Sequence, residues 1–178
     1  MATWIALFRG INVGGNHLLP MKRLTSLLER DGFGNVRTYI QSGNVVFQSP
    51  RGTAKSIAAR MGQLVLKDHG FAPEVIVLST RELEQAAAGN PFPQAEAEPK
   101  TLHLFFLCEA PRAPDLESLQ AFKAGKEAFS LRGKVFYLHT PDGFGTSKLA
   151  QKVGRAVGVE ATARNWRTVT TLIDMARL

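Results

Sequence analysis

The chain has 178 residues, 22 Lys and Arg against 15 Asp and Glu for a formal charge of +7, 44% hydrophobic residues and one Cys. Such a composition excludes a disordered segment, a collagen-like fibre and a disulfide framework, and the length suffices for one large or two small domains. The basic excess is spread over both halves rather than gathered in a tail, so it favours phosphorylated or acidic partners without marking a nucleic-acid tether.

The opening MATWIALFRG reaches an Arg after a short apolar run. Neither a membrane span nor a signal peptide is predicted, and a cytoplasmic protein is expected. Thr3–Arg9 reads as a strand apolar on both faces. Pro20 opens a helix carrying Met21, Leu24, Leu27 and Leu28 at helical spacing, with Gly32 past its end. Val36–Gln41 and Asn44–Gln48 form two β-rich runs around the turn residues Ser42 and Gly43. Thr53 is placed to cap a helix with the stripe Ile57, Met61, Leu64 and Val65, closed by Gly70. Glu74–Leu78 is the next strand, and Ser79 with Glu82 fits a capping box for a third helix that stops at Gly89-Asn90-Pro91.

The second half repeats that order. Thr101–Cys108 reads as a buried strand and Pro114–Phe122 as a helix with Leu116, Leu119 and Phe122 on one stripe. Phe129–Leu131 and Lys134–His139 flank the turn Arg132-Gly133. Leu149, Val153, Ala156 and Val157 mark another helix, Val159–Thr162 a short strand, and Trp166–Arg177 a last helix. Each half therefore follows β-α-β-β-α-β-α, whose first six elements are the split β-α-β order. The fold class is α+β, with two ferredoxin-like subdomains from an internal duplication, over residues 1–90 and 100–178 with a Pro-rich linker at 91–99. A short likeness supports the duplication: Gly52-Thr53-Ala54-Lys55 parallels Gly145-Thr146-Ser147-Lys148 before the second helix of each half.

This topology brings distant loops together. In the first half, the loop after the first strand and the turn between the second and third strands share one end. That cluster holds Arg9, Asn12, Gly14, Gly15, Gln41, Ser42 and Asn44, with amide donors suited to an anion. It is not a P-loop, because Asn16-His17 stands where Lys-Ser/Thr would follow Gly15. In the second half, two helix starts converge, bringing Ser147, Lys148, Arg164, Asn165, Trp166 and Arg167 to one region. Helix starts favour anions, the three cations add to that, and Trp166 offers a stacking face. Ordinary caps and turns account for the same residues in both clusters.

Catalytic chemistry has no evident carrier. Cys108 lies in an apolar strand as a buried, inert thiol. His17, His69, His103 and His139 have no metal-ligand spacing, so no metal is expected, and no cofactor is identified. Gly43–Gln48 lacks the aromatic pattern of an RNA-binding strand, so sequence-specific nucleic-acid binding is not expected.

At RGINVGG (Arg9–Gly15), TYIQSGNVVF (Thr38–Phe47), NPF (Asn90–Phe92) and TARNW (Thr162–Trp166), the sequence resembles a bacterial family catalogued as domain of unknown function 1697. The likeness spans nearly the whole chain. It implies an α+β fold of two similar subdomains and no assigned activity. Many members of that family carry a Lys near the position of Asn16-His17, which weakens a phosphate role for the first cluster here. Ser147-Lys148-Leu149 also resembles a family feature, which favours the second.

Three readings follow. The preferred one is a binding protein for a small anionic ligand, phosphate-bearing and nucleotide-like, held by Ser147, Lys148, Arg164, Asn165, Trp166 and Arg167. The second is an enzyme of unknown reaction using the Arg9–Gly15 and Gln41–Asn44 loops. The third is a homodimeric interaction module, because strands apolar on both faces need cover on both. The protein is expected as a monomer or homodimer with no membrane association.

Overall fold

The computed structural model describes residues 1–178 and resolves into two units, Met1–Gln85 with Thr171–Leu178, and Ala86–Thr170. The first boundary falls earlier than the expected end of the first subdomain at residue 90, and the last eight residues group with the first unit rather than the second. Within the first unit, Arg177 Nε donates to Glu84 Oε1 at 2.9 Å.

The first unit runs β1 (Ala2–Arg9), α1 (Met21–Arg30), β2 (Gly34–Tyr39), β3 (Asn44–Ser49), α2 (Ala54–His69) and β4 (Glu74–Ser79), followed by α3 (Thr80–Ala88). Its sheet is antiparallel in the order β2-β3-β1-β4. Period-two alternation sends Ala6 and Phe8 of β1 to the face covered by the helices, where they pack with Leu24, Leu28, Val45, Phe47, Ile57, Met61 and Val65. Ile5 and Leu7 point the other way and are also fully buried. The local signals act as expected. Thr53 and Ser56 exchange capping-box bonds at the start of α2, and Ser79 and Glu82 do the same before α3. Pro20 stands one residue earlier than expected, as the cap of α1 rather than its first residue.

After the last residues of α3, the second unit continues with two 3₁₀ turns, Pro93–Ala97 and Pro99–Thr101. The stretch expected as a linker is therefore ordered, with Ala95 buried and Glu98 accepting from Thr101 N at 2.9 Å. There follow β5 (Leu102–Leu107), α4 (Leu116–Phe122), β6 (Ala128–Arg132), β7 (Val135–His139), α5 (Lys148–Val157), β8 (Ala161–Asn165) and the start of α6 (Trp166–Ala176), whose residues from Thr171 onward group with the first unit. The strand order β6-β7-β5-β8 repeats that of the first sheet, giving an α+β fold of two similar halves. Phe105, Leu107, Leu119, Phe136, Leu138, Leu149, Val153 and Val157 form the core between this sheet and its helices.

Three details depart from the sequence reading. The last strand starts at Ala161, because Gly158 closes α5 in the left-handed conformation and pairing begins only opposite Leu107. The cap of α5 is Ser147, whereas that of α2 is Thr53, so the Gly-Thr-x-Lys likeness is out of step by one residue at the helix starts. Cys108 lies beyond the end of β5 and is exposed rather than buried.

Candidate functional site

The structure turns Arg164 away from Ser147 and Lys148. Arg164 pairs across the sheet with Leu104, while its neighbour Ala163 pairs with Phe105 of the core between sheet and helices. Alternation therefore places Arg164 on the face opposite α4 and α5, away from Ser147 and Lys148. It is buried, its guanidinium donates to Thr162 Oγ1 at 2.8 Å and Ala163 O at 2.9 Å, and burial pulls its pKa down to about 10. Asn165 caps α6 by accepting from Thr168 N at 2.9 Å, and Trp166 is buried as the first residue of that helix. Lys148 and Arg167 are exposed.

Ser147 explains why the start of α5 needs no outside anion. Its hydroxyl caps the helix by accepting from Ala150 N at 3.1 Å and donates to Glu127 Oε2 at 2.6 Å. Glu127 is buried, and its other oxygen accepts from Ala124 N at 2.9 Å. The protein thus supplies its own carboxylate at the positive end of the helix. Glu127 was not singled out from sequence; its only signal is its place directly before an apolar strand.

The two loops of the other candidate cluster meet at the end of the first sheet where β1 finishes and β3 begins. Val13 to Asn16 forms a two-residue turn, with Asn16 N donating to Val13 O at 3.1 Å and Gly14 and Gly15 at φ 59° and 76°. Two successive left-handed residues make this the tight hairpin turn that glycine favours. Below it, Asn12 N donates to His17 O at 3.1 Å. The Asn12 side chain then ties the whole loop down. Its Nδ2 donates to Leu19 O at 2.9 Å and to Gln41 O at 2.8 Å, and its Oδ1 accepts from Leu19 N at 2.7 Å.

The β2–β3 turn is fixed equally well. Asn44 is fully buried, and its Nδ2 donates to Tyr39 O at 3.1 Å and Ser42 Oγ at 3.0 Å. Phe8 N donates to Gly43 O at 2.8 Å. Gly43 has φ 86°, and a Cβ there would stand 2.7 Å from Phe8 Cβ and 2.9 Å from Ile11 Cδ1, so only glycine fits. Asn12 and Asn44 therefore build the site rather than bind with it.

The loops present Gly14, Gly15 and Gln41 to solvent, and Arg9, at the end of β1, donates from Nη1 to Glu74 Oε2 at 3.2 Å. They also expose Val13 and Leu18 at 63% each and Ile40 at 53%, more than any other large apolar side chain outside the termini. Asn12, His17 and Ile40 hold left-handed backbone, at φ 55°, 49° and 49°. The ring of His17 stacks on Phe71 with centroids 4.4 Å apart. The sequence reading found the polar members of this cluster but not the three apolar ones. Nothing in their local pattern distinguishes them from core residues.

A family model described as Protein of unknown function (DUF1697) matches residues 1–137. Among solved structures, the fold is similar to that of the conserved bacterial protein SP0830 from Streptococcus pneumoniae, with a TM-score of 0.69, 22% identity and 98% of each chain covered. No curated protein matches the chain. No helix is long and apolar enough to cross a membrane.

Proposed function

The chain belongs to this family, whose description assigns no activity, and from that premise we propose that it is a binding protein. Its site is the pair of loops joined by Asn12, and its ligand is a small molecule that combines an anionic group with an apolar body. The observation that carries this reading is the exposure of Val13, Leu18 and Ile40 on two loops that Asn12 joins and that hold Asn12, His17 and Ile40 in a costly backbone conformation. Left-handed backbone costs a non-glycine residue about 1–2 kcal/mol. Strain of that kind gathers at ligand clamps, where the surrounding structure over-determines it.

The anionic half of the ligand follows from the donors. The exposed turn residues Gly14 and Gly15 and the exposed Gln41 offer amide donors, and Arg9 ends the strand that leads into the loop, in a chain of net charge +7. Asn16-His17 in place of Lys-Ser/Thr favours a carboxylate or a monophosphate over a metal-bound triphosphate. Both loops lie within the stretch that the family model matches, whereas Ser147–Arg167 lies beyond it.

The test is a thermal-shift panel of carboxylate- and phosphate-bearing metabolites on wild type, Leu18→Ser, Ile40→Asn and Lys148→Ala. A ligand at 100 times its Kd adds about 2.7 kcal/mol. The expected result is a hit that Leu18→Ser and Ile40→Asn lose and Lys148→Ala keeps. A hit lost only in Lys148→Ala would return the site to the start of α5, and a silent panel would remove the small-anion reading altogether.

A further inference from the structure

We propose that the second unit carries a separate site for a free α-amino acid with an aromatic side chain, in the cleft between the two 3₁₀ turns and the β6–β7 hairpin. The cleft measures about 400 Å³ and is lined by Phe92, Gln94, Glu98, Lys126 and His139. That volume lies within the ~300–1,000 Å³ range of small-molecule sites. Its polar lining is unspent. Lys126 and Glu98 share the cleft yet form no ion pair with each other or with any other residue, and the side chains of Gln94 and His139 make no hydrogen bond.

The walls are fixed even though their side chains are uncommitted. Phe92 N donates to Asn90 Oδ1 at 3.0 Å, and Phe92 O accepts from Ala95 N at 3.0 Å, so the Asn90-Pro91-Phe92 motif is a turn that aims the Phe92 ring. Glu98 is held by its N–H to Ala95 O at 3.0 Å and by Thr101, whose N and Oγ1 both donate to its carbonyl. Lys126 precedes Glu127 in the turn that the buried carboxylate closes on Ala124 N. His139 ends β7, paired with Leu102 and Ala128.

The ligand class follows from the lining. One anion and one cation facing the same space, without neutralising each other, suit a zwitterion: ammonium toward Glu98, carboxylate toward Lys126. The Phe92 and His139 rings, with centroids 6.1 Å apart and planes tilted by 31°, both line the cleft and offer an aromatic side chain two rings to pack against. The Phe92 face adds attraction for the ammonium.

The experiment is an NMR titration of labelled full-length protein with L-phenylalanine, L-phenylalaninamide and N-acetyl-L-phenylalanine. L-phenylalanine is expected to give saturable shifts at Phe92, Gln94, Lys126 and His139, with both blocked forms at least tenfold weaker. Lys126→Gln should weaken phenylalanine about tenfold and abolish discrimination against the amide. Glu98→Gln should do the same against the acetyl form. Both side chains are exposed, so neither replacement disturbs the core. The absence of saturable shifts at these residues, equal binding of the blocked forms, or affinity unchanged in both variants would overturn the proposal.

Discussion

The side chain of Asn12 donates to the main-chain carbonyl of Gln41 at 2.8 Å, joining two loops 29 residues apart in sequence. With its two bonds to Leu19, it satisfies three backbone groups at the base of the candidate site. Asn12→Ala removes all three while leaving an alanine in left-handed backbone. At ~1 kcal/mol per net hydrogen bond, the loss of the three bonds alone is about 3 kcal/mol. Hydrogen exchange checks it: the Leu19 amide should lose protection, and calorimetry should show a fall of several degrees in Tm.

Ile40 makes the opposite prediction. Its φ of 49° is unusual for a β-branched residue, and its side chain is 53% exposed. Asn tolerates this backbone far better, so Ile40→Asn should stabilise the protein by about 1 kcal/mol, or some 2–4 °C in Tm for a chain of this size. A stabilised variant that no longer binds is the signature of strain kept for function. An unchanged or lower Tm would show that Ile40 packs more than its exposure implies.

Glu127 and Ser147 are expected to behave as a coupled pair. Ser147→Ala removes a helix cap, worth about 1 kcal/mol, and a hydrogen bond to a buried carboxylate, worth a further 1–3 kcal/mol. Glu127→Gln keeps the shape but leaves one acceptor where two donors need one each. The double variant should cost less than the two single costs added together, which a double-mutant cycle by urea denaturation measures directly. Strict additivity would mean that the 2.6 Å contact contributes nothing.

His103 sets an acid limit. Its ring stacks on Phe144 at 3.8 Å, its Nδ1 is buried without a partner, and burial lowers its pKa from 6.5 to about 4. Between those values the unfolded chain binds a proton that the folded chain refuses, so stability falls as pH drops from 6.5 to 4. The full loss is about 3 kcal/mol, at ~1.4 kcal/mol for each unit of depression. His103→Gln should flatten this part of the Tm–pH curve while leaving the curve above pH 7 parallel to wild type. A slope unchanged by the substitution would assign the acid sensitivity to other groups.

What the sequence determined by itself is the order and type of the elements. Those follow from local physics: the stripe of Met21, Leu24, Leu27 and Leu28, the caps at Thr53 and Ser79, and the stop at Gly70 all act within a few residues. The meeting of the loop after β1 with the β2–β3 turn is legible too, since the split β-α-β order dictates that they share an end. What the tertiary structure decided is which side chains meet there. Arg164 was read in a loop leading into the last helix, but pairing with β5 extends β8 through Asn165, and strand parity then turns Arg164 away from Ser147. A shift of two or three residues in a strand boundary leaves the topology intact and changes the membership of a site. Glu127, 20 residues before Ser147 in the chain, took the place of the expected anion by a contact that no spacing rule encodes. Local periodicity names the face of a helix, whereas the face of a strand residue depends on a partner strand far away in sequence, and only the folded chain supplies that partner.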